Sequence, residues 1–290
     1  MIKTRDRVIL ITGATDGLGR RVAQDLAGSG ATVLLHGRTP AKGAAAVREI
    51  RAATRNQQLA YYNADLSSLD AVRRLAEEIL AHQDRVDVLI NNAGIGVGSR
   101  RDGRELSRDG FELRFAVNYL APFLLTHRLL PLLQRSAPAR IVNVSSIGQQ
   151  PIDFDNVMLA SSYEGLRAYR QSKLAQVMFT FDLADRLEGT GITVNCLHPA
   201  TLMSTKMVLD TDYFGGAMTT VEQGAGAVEY LATSPQLAGV SGEYFDGRRQ
   251  ARANRQAYDR EARQRLWTLT EQLVGIDGAQ ASEASAGPNV

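Results

Sequence analysis

The feature that most constrains this chain is a glycine-spaced turn between a predicted strand and a predicted helix near the N-terminus. Four apolar residues, Val8 to Ile11, predict a buried strand, and the turn Thr12-Gly13-Ala14-Thr15-Asp16-Gly17-Leu18-Gly19 follows them. A helix that starts directly after a strand presents unpaired N–H groups and the positive end of its dipole, which together suit a phosphate. The spacing Gly-x-x-x-Gly-x-Gly differs from the standard dinucleotide fingerprint, so the turn alone is also compatible with a tight turn that binds nothing.

Short apolar strands alternate with helical segments along the rest of the chain. The predicted strands are residues 8–11, 31–36, 59–62, 86–90, 139–144, 192–197 and 242–245, and one long helix is expected over residues 111–133. This alternation is typical of right-handed βαβ units, and it predicts an α/β fold with a doubly wound parallel sheet of seven strands flanked by helices on both faces. We expect a single domain over residues 1–277 and a small, polar, flexible tail over 278–290.

The charge and cysteine content of the chain limit which partners and which compartment are expected. The chain has 290 residues, of which 44% are hydrophobic and 22% charged, and its net charge of +2 favours neither nucleic acid nor an anionic membrane surface. The single cysteine, Cys196, excludes an intrachain disulfide and suits a reducing compartment, and no metal is expected. With seven residues before the first strand we expect no signal peptide and no membrane anchor, and hence a cytoplasmic protein.

Polar or special residues follow each of the first six predicted strands. They are the glycine turn, Arg38, Asp65, Asn92-Ala93-Gly94, Ser145 and Pro199, in strand order. Ligands of an open parallel sheet bind beyond the carboxyl ends of its strands, where these residues should gather. The sequence therefore predicts a binding site along this edge.

Tyr169 and Lys173 are four residues apart on a predicted helix and so share one face of it. A phenol has a pKa of about 10, and a nearby cation lowers that pKa by favouring the phenolate. A fall of two to three pKa units requires roughly 3–4 kcal/mol of electrostatic help, which a shielded lysine and a cationic nicotinamide can supply together. The alternative is an ordinary surface pair on an amphipathic helix.

These motifs together resemble the short-chain dehydrogenase/reductase family. The matching elements are the glycine turn, Asn91-Asn92-Ala93-Gly94, Asn118, Ser145 and Tyr169-x-x-x-Lys173, and the resemblance covers residues 8 to about 250. The chain is most similar to the retinol dehydrogenase-like branch in its long segment between Ser145 and Tyr169, in the run 118–126, and in the C-terminal residues 242–267. The resemblance implies a Rossmann fold and hydride transfer between a nicotinamide cofactor and a carbonyl or alcohol.

The resemblance also implies catalytic roles. Tyr169 is then the general acid for carbonyl reduction or the base for alcohol oxidation, and Lys173 lowers its pKa and holds the nicotinamide ribose. Ser145 hydrogen-bonds the substrate oxygen, and Asn118 holds a water that relays protons from Lys173 to solvent. From the residues alone, Ser145 is equally a strand-end cap and Asn118 a polar residue bending its helix.

Arg38 favours NADP(H) over NAD(H), which remains the alternative. NAD-selective sites place a carboxylate at the end of the second strand, where this chain has Gly37, and the guanidinium of Arg38 fits a 2′-phosphate. Asp16 argues against this preference, because it brings negative charge near the same phosphate. The predicted cofactor-binding residues are Gly13, Thr15, Asp16, Gly17, Leu18, Gly19, Arg38, Asp65, Leu66, Asn92, Ala93, Gly94, Tyr169, Lys173, Pro199, Leu202 and Ser204.

The run after the sixth strand departs from the family pattern. Ala200 replaces the usual glycine after Pro199, and Ser204 occupies the usual threonine position. Backbone contacts from Leu202 are expected to persist. The hydroxyl that holds the carboxamide of the nicotinamide is that of Thr201, Ser204 or Thr205.

The substrate pocket is expected between residues 147–165 and 202–221, both rich in apolar side chains. We interpret them as a mobile lid over a lipophilic ketone, aldehyde or alcohol, with packing at a subunit contact as the alternative. The resemblance is compatible with a homo-oligomer. A second hypothesis is a nucleotide-binding Rossmann module that acts as a sensor or scaffold without turnover.

Overall fold

The computed structural model describes residues 3–276, so the tail predicted at 278–290 lies outside the described residues. Its strands are β1 Val8–Ile11, β2 Thr32–Gly37, β3 Leu59–Asn63, β4 Val88–Asn91, β5 Ala139–Val144, β6 Ile192–His198, β7 Tyr244–Asp246 and β8 Arg249–Gln250. They form one sheet in the order β3-β2-β1-β4-β5-β6-β7-β8. The strands β1 to β7 pair in parallel, which confirms the predicted doubly wound sheet.

The prediction of seven strands was wrong by one strand. The additional strand, β8, pairs antiparallel with β7 at the sheet edge after a turn at Gly247. Both of its residues, Arg249 and Gln250, are exposed. A two-residue exposed strand has neither an apolar run nor an alternation of apolar and polar residues, so its sequence carried no strand signal.

Helices cover both faces of the sheet. They are α1 Gly17–Gly28, α2 Pro40–Thr54, α3 Leu69–His82, α4 Leu113–Phe115, α5 Ala121–Arg135, α6 Gly165–Arg186, α7 Lys206–Leu209, α8 Val221–Thr233 and α9 Arg260–Val274. The single helix expected over residues 111–133 is instead α4 and α5 joined by a π-helical turn, Ala116–Leu120. Within residues 3–276, no helix combines the length and the apolar character needed to span a bilayer.

Two hydrophobic cores lie on the two faces of the sheet. In β1, Leu10 belongs to one core, whereas Ile9 and Ile11 belong to the other. All three side chains are fully buried, as expected for a strand covered by helices on both faces. This double burial explains why the strands appear in the sequence as continuous apolar runs.

A buried histidine at the end of β2 connects the carboxyl ends of three strands. His36 Nδ1 accepts the Gly13 N–H at 3.3 Å, and Nε2 lies 3.1 Å from the carbonyl oxygen of Ala64. Because Nδ1 accepts, the ring is neutral and its Nε2–H donates to Ala64. Burial lowers the pKa of His36 to about 4. The neutral ring therefore ties the glycine turn to the segment after β3.

We expect His36 to make folding sensitive to acid. Its pKa is lower in the folded chain than the usual value of about 6.5, so the unfolded chain binds more protons between these two values. Stability from His36 is complete above pH 6.5 and is lost as the pH falls towards 4, by about 3 kcal/mol at most. His36→Asn, which keeps an acceptor for Gly13, should reduce the loss between pH 7 and 4.5 by about 2 kcal/mol in urea unfolding.

The matched control is the same substitution at an exposed histidine, His82→Asn, whose loss of stability between pH 7 and 4.5 should exceed that of His36→Asn. His127 also contributes to acid sensitivity, because burial lowers its pKa to about 4, and it is unchanged in both variants. If the free energy of unfolding of His36→Asn falls between pH 7 and 4.5 as much as that of the wild type, the role of His36 is contradicted.

Candidate active site

One cleft of about 1110 Å³ runs along the carboxyl edge of the sheet. It is lined by every residue predicted for the site except Asn118, which lies behind its wall. The volume exceeds the usual range of about 300–1,000 Å³ for small-molecule pockets, as a dinucleotide with a second ligand requires. The residues that follow the strands therefore lie together in one cleft, as the sequence predicts.

The glycine turn is locked against the end of β4. Thr12 Oγ1 accepts the backbone N–H groups of Asn92 and Ala93, both at 3.0 Å, and Asn92 Nδ2 donates to the Thr12 carbonyl at 2.8 Å. Gly13 has a φ of +66° and lies so close to Ala93 that a Cβ would come within 2.8 Å of the Ala93 Cα. A Cβ on Gly19 would lie 2.3 Å from the Gly13 carbonyl oxygen. Both glycines are thus required for the turn to close.

Basic side chains lie where the second strand enters the cleft. Arg38 is exposed, and Lys42 lines the cleft one turn into α2. A Cβ at Gly37 would come within 2.5 Å of Thr15 Cγ2, so the packing of Thr15 excludes a carboxylate from the position that NAD-selective sites use. Lys42 was missed in the sequence, although its position in the first turn of the helix that follows Arg38 was a usable signal.

Asp16 has a counter-charge from a distant segment. Its Oδ1 accepts the Gly17 N–H at the start of α1, and its Oδ2 accepts Lys206 Nζ at 2.8 Å. The hydrogen bond from Lys206 is the main cause that lowers the pKa of Asp16. The negative charge that argued against a phosphate is therefore matched by a cation from α7.

The two serines after β5 have different partners. Ser145 is buried, and its hydroxyl donates to the Lys173 carbonyl at 2.8 Å. Ser146 instead lies beside the phenol of Tyr169 and influences its pKa. Desolvation by surrounding protein raises the pKa of Tyr169, and the neighbouring Ser146 hydroxyl partly lowers it. The geometry therefore pairs Tyr169 with Ser146, whereas the sequence analysis selected Ser145.

Strand alternation was the signal that could have separated these serines. Asn143 and Ser145 are two residues apart, and both bond to α6, through Thr180 and the Lys173 carbonyl respectively. Residues two apart in a strand face the same side, so Ser145 follows Asn143 under the helix. Ser146 is the first residue after this pair whose side chain is not committed to a bond with the backbone or a side chain of α6 in this way.

The Lys173 ammonium lies 5.8 Å from the centre of the Tyr169 ring. Its Nζ donates to the Val144 carbonyl and to Gln176 Oε1, both at 2.9 Å. Burial lowers the pKa of Lys173 to about 7. Tyr169 and Lys173 thus share one helix face as expected, but in this arrangement the ammonium is bound by neutral oxygens and the phenol pKa is raised.

Asn118 lies in the π-helical turn and is fully buried. Its Oδ1 accepts the Ile95 N–H at 2.8 Å, and its Nδ2 donates to the Ile95 carbonyl and to Ser172 Oγ. The side chain therefore fastens the loop after β4 to α6. Its role as a proton relay stays a prediction.

The segments expected to frame the substrate contribute unequally. From residues 147–165 only Ile147 and Gly148 line the cleft, because Ile152 and Val157 are buried in the main core. Residues 202–221 contribute Leu202 to Leu209 and Phe214. A third wall, missed in the sequence, comes from the long loop after β4, the start of α4 and the π-helical turn. It comprises Ile95, Gly96, Val97, Leu106, Leu113 and Val117.

The mouth of the cleft is apolar and exposed. Ile147 is 60% exposed, Leu209 59% and Leu106 51%, and each comes from a different wall. Exposed large apolar side chains of this kind are typical of surfaces that bind a ligand or a partner.

Comparison with known proteins identifies relatives. The family profile described as short chain dehydrogenase matches residues 7–212. Human retinol dehydrogenase 13 is 38% identical over 96% of this chain and 87% of its own length, and mouse retinol dehydrogenase 12 is 37% identical over 93% and 87%.

Solved structures agree. A crystal structure of an uncharacterised protein from Mycobacterium Paratuberculosis has a TM-score of 0.76 at 32% identity, with 93% of each chain covered. A short chain dehydrogenase from Shigella flexneri complexed with NADP has a TM-score of 0.68 at 28% identity, covering 84% of this chain and 98% of its own. With this fold, this cleft and these relatives, the chain belongs to the short-chain dehydrogenase/reductase family.

Proposed function

We propose that this protein is an NADP(H)-dependent oxidoreductase that interconverts a ketone or aldehyde with an alcohol. The observation that carries the proposal is the Tyr169 phenol, which lies with Ser146 in the same cleft as the glycine turn and Arg38. A sensor or scaffold needs the nucleotide end of this cleft but has no use for a proton donor at the other end. A catalytic role therefore explains more of the cleft than nucleotide binding alone.

In this proposal, Tyr169 donates its proton to the carbonyl oxygen during reduction and takes it back during oxidation. Ser146 makes the second hydrogen bond to that oxygen and stabilises its developing negative charge. Lys173 holds the nicotinamide ribose, and its positive charge stabilises the phenolate that remains. The bound cofactor supplies the hydride, while the protein supplies position and electrostatics.

Arg38 and Lys42 support a preference for NADP(H), because both are cationic and lie where a 2′-phosphate is expected. At the nicotinamide end of the cleft, we assign the hydroxyl that binds the cofactor carboxamide to Ser204. The Thr201 hydroxyl lies 3.0 Å from His198 Nε2, and the Thr205 hydroxyl donates to the Met203 carbonyl, so both are engaged by protein groups.

The substrate is proposed to be lipophilic. The exposed rim formed by Leu106, Ile147 and Leu209 can bury an apolar group that extends out of the cleft. The two curated relatives are both named retinol dehydrogenases, which agrees with an apolar substrate class.

Tyr169→Phe tests the function directly. It should reduce kcat about 10²–10⁴-fold, because proton donation is lost, while the Kd for NADPH changes by less than about threefold. NADPH absorbance measures turnover with a panel of aldehydes and ketones of increasing chain length, and NADPH fluorescence measures binding. A wild-type protein that binds NADPH but turns over none of the panel would favour the sensor.

The two serines provide a matched pair of variants. Ser146→Ala should lower kcat about 10²-fold because the hydrogen bond to the developing alkoxide is lost, whereas Ser145→Ala should lower it less than about fivefold. Thermal unfolding of both variants shows whether the fold is kept. The opposite ranking of kcat would return the catalytic role to Ser145.

Arg38→Ala tests cofactor preference. Loss of a charge-assisted bond to the 2′-phosphate should raise the Kd for NADPH at least about tenfold and leave that for NADH within about threefold. Arg48→Ala is the control, since Arg48 is exposed on α2, the helix that follows Arg38, and does not line the cleft. Equal losses for the two cofactors would refute the assignment.

A further inference from the structure

The side chain of Gln176 touches Lys173 inside the protein. Gln176 lies three residues after Lys173 on α6, a spacing that brings side chains together on a helix. Lys173 is 3% exposed and Gln176 0%. Lys173 Nζ donates to Gln176 Oε1 at 2.9 Å and to the Val144 carbonyl at 2.9 Å. One of these two acceptors is fixed in the backbone, and the other is a side chain that can be changed.

The orientation of the Gln176 amide is determined by chemistry. An ammonium group has donors and no acceptor, so the amide must turn its oxygen towards Lys173. The Nε2 group then points elsewhere, and within the described residues it is buried without a hydrogen-bond partner. A buried amide that is half satisfied costs stability, so its packing alone does not explain why a glutamine lies there.

The other groups that face Lys173 are neutral. They come from four elements: Tyr169 on α6, Val144 on β5, Gly94 in the loop after β4, and Asn118 in the π-helical turn. In residues 3–276, burial is the single cause that shifts the pKa of Lys173, and no charged side chain offsets it. The Val144 carbonyl and the Gln176 amide oxygen are therefore the acceptors that bind its ammonium form.

We propose that Gln176 is a positioning residue, whose amide oxygen holds the Lys173 side chain at the edge of the cleft as an ammonium ion. The inference deepens the proposed function, in which Lys173 must be cationic to stabilise the Tyr169 phenolate. Holding Lys173 as a cation is thus assigned to the neutral amide oxygen of Gln176, which binds no substrate and acts through Lys173. A carboxylate at this position would hold the charge permanently, whereas an amide leaves it sensitive to pH.

The lysine content of the chain allows a direct test. The sequence contains four lysines, namely Lys3, Lys42, Lys173 and Lys206, so ¹³Cε-lysine labelling gives few NMR signals, and Lys173→Met assigns one of them. The pKa of Lys173 is then read from its ¹³Cε shift in the full chain without cofactor. This readout does not depend on turnover.

Gln176→Met keeps the length of the side chain and removes the oxygen. It should lower the pKa of Lys173 by about one unit, because the charged form loses a hydrogen-bond acceptor. Gln176→Glu should raise the pKa by at least about one unit, since a carboxylate favours the ammonium. If Gln176→Met does not fold, Gln176→Glu still tests the proposal with the opposite sign.

The matched control is Gln171→Met. Gln171 is 1% exposed on the same helix, but its Oε1 accepts the Asp153 N–H and does not contact Lys173. Its substitution should leave the Lys173 pKa within about 0.3 unit, as expected for a distant neutral change. An unchanged Lys173 pKa in both Gln176 variants, or an equal shift in Gln171→Met, would overturn the proposal.

Activity provides the second readout and separates the two proposals. If the proposed reaction occurs, the alkaline limb of the kcat profile should move to lower pH in Gln176→Met and to higher pH in Gln176→Glu. Shifts of the NMR titration in a protein with no turnover would uphold the role of Gln176 and reject the reaction. Turnover in a protein whose Lys173 titration is unchanged by the Gln176 variants would uphold the reaction and reject the role of Gln176.

Discussion

The hydroxyl of Thr12 holds together the two strand ends on which the cleft depends. β1 and β4 are neighbours in the sheet although β2 and β3 intervene in the chain, so their connections leave in opposite directions. A crevice forms at such a reversal in a doubly wound sheet. Thr12 Oγ1 closes the base of this crevice by accepting two N–H groups from the start of the loop after β4. The glycine turn and that loop are consequently fixed as its two sides.

The fold and the nucleotide end of the cleft were largely predictable from the sequence, because local signals specify them. A strand buried on both faces, such as Ile9-Leu10-Ile11, is a continuous apolar run, and a parallel sheet places every strand end at one edge. The π-helical turn was not predictable, because Ala116 to Leu120 has the apolar character of the helices that flank it. Its effect is visible only in Asn118, which reaches the loop after β4 from that turn.

Contacts between distant segments escaped prediction for a different reason. Asp16 and Lys206 are separated by 190 residues, and each has an ordinary surface composition around it. Neither hydrophobic periodicity nor a local motif encodes such a pair, which exists only after the fold has brought α7 to the glycine turn. Because both side chains are more than half exposed, the pair contributes little to stability, and its significance is electrostatic within the cleft.

The pKa values of Tyr169 and Lys173 bear on the direction of proton transfer in the proposed reaction. Desolvation raises the pKa of Tyr169, so the phenol keeps its proton at neutral pH and is ready to act as an acid. The phenolate left after donation is stabilised only if Lys173 carries its charge, and burial brings the pKa of that lysine to about 7. In that reaction, loss of the ammonium charge makes proton release from the phenol harder, because a nearby cation favours the phenolate. For the proposed reaction, a phenol that keeps its proton favours carbonyl reduction at neutral pH, whereas alcohol oxidation needs the phenolate and hence further positive charge beside it.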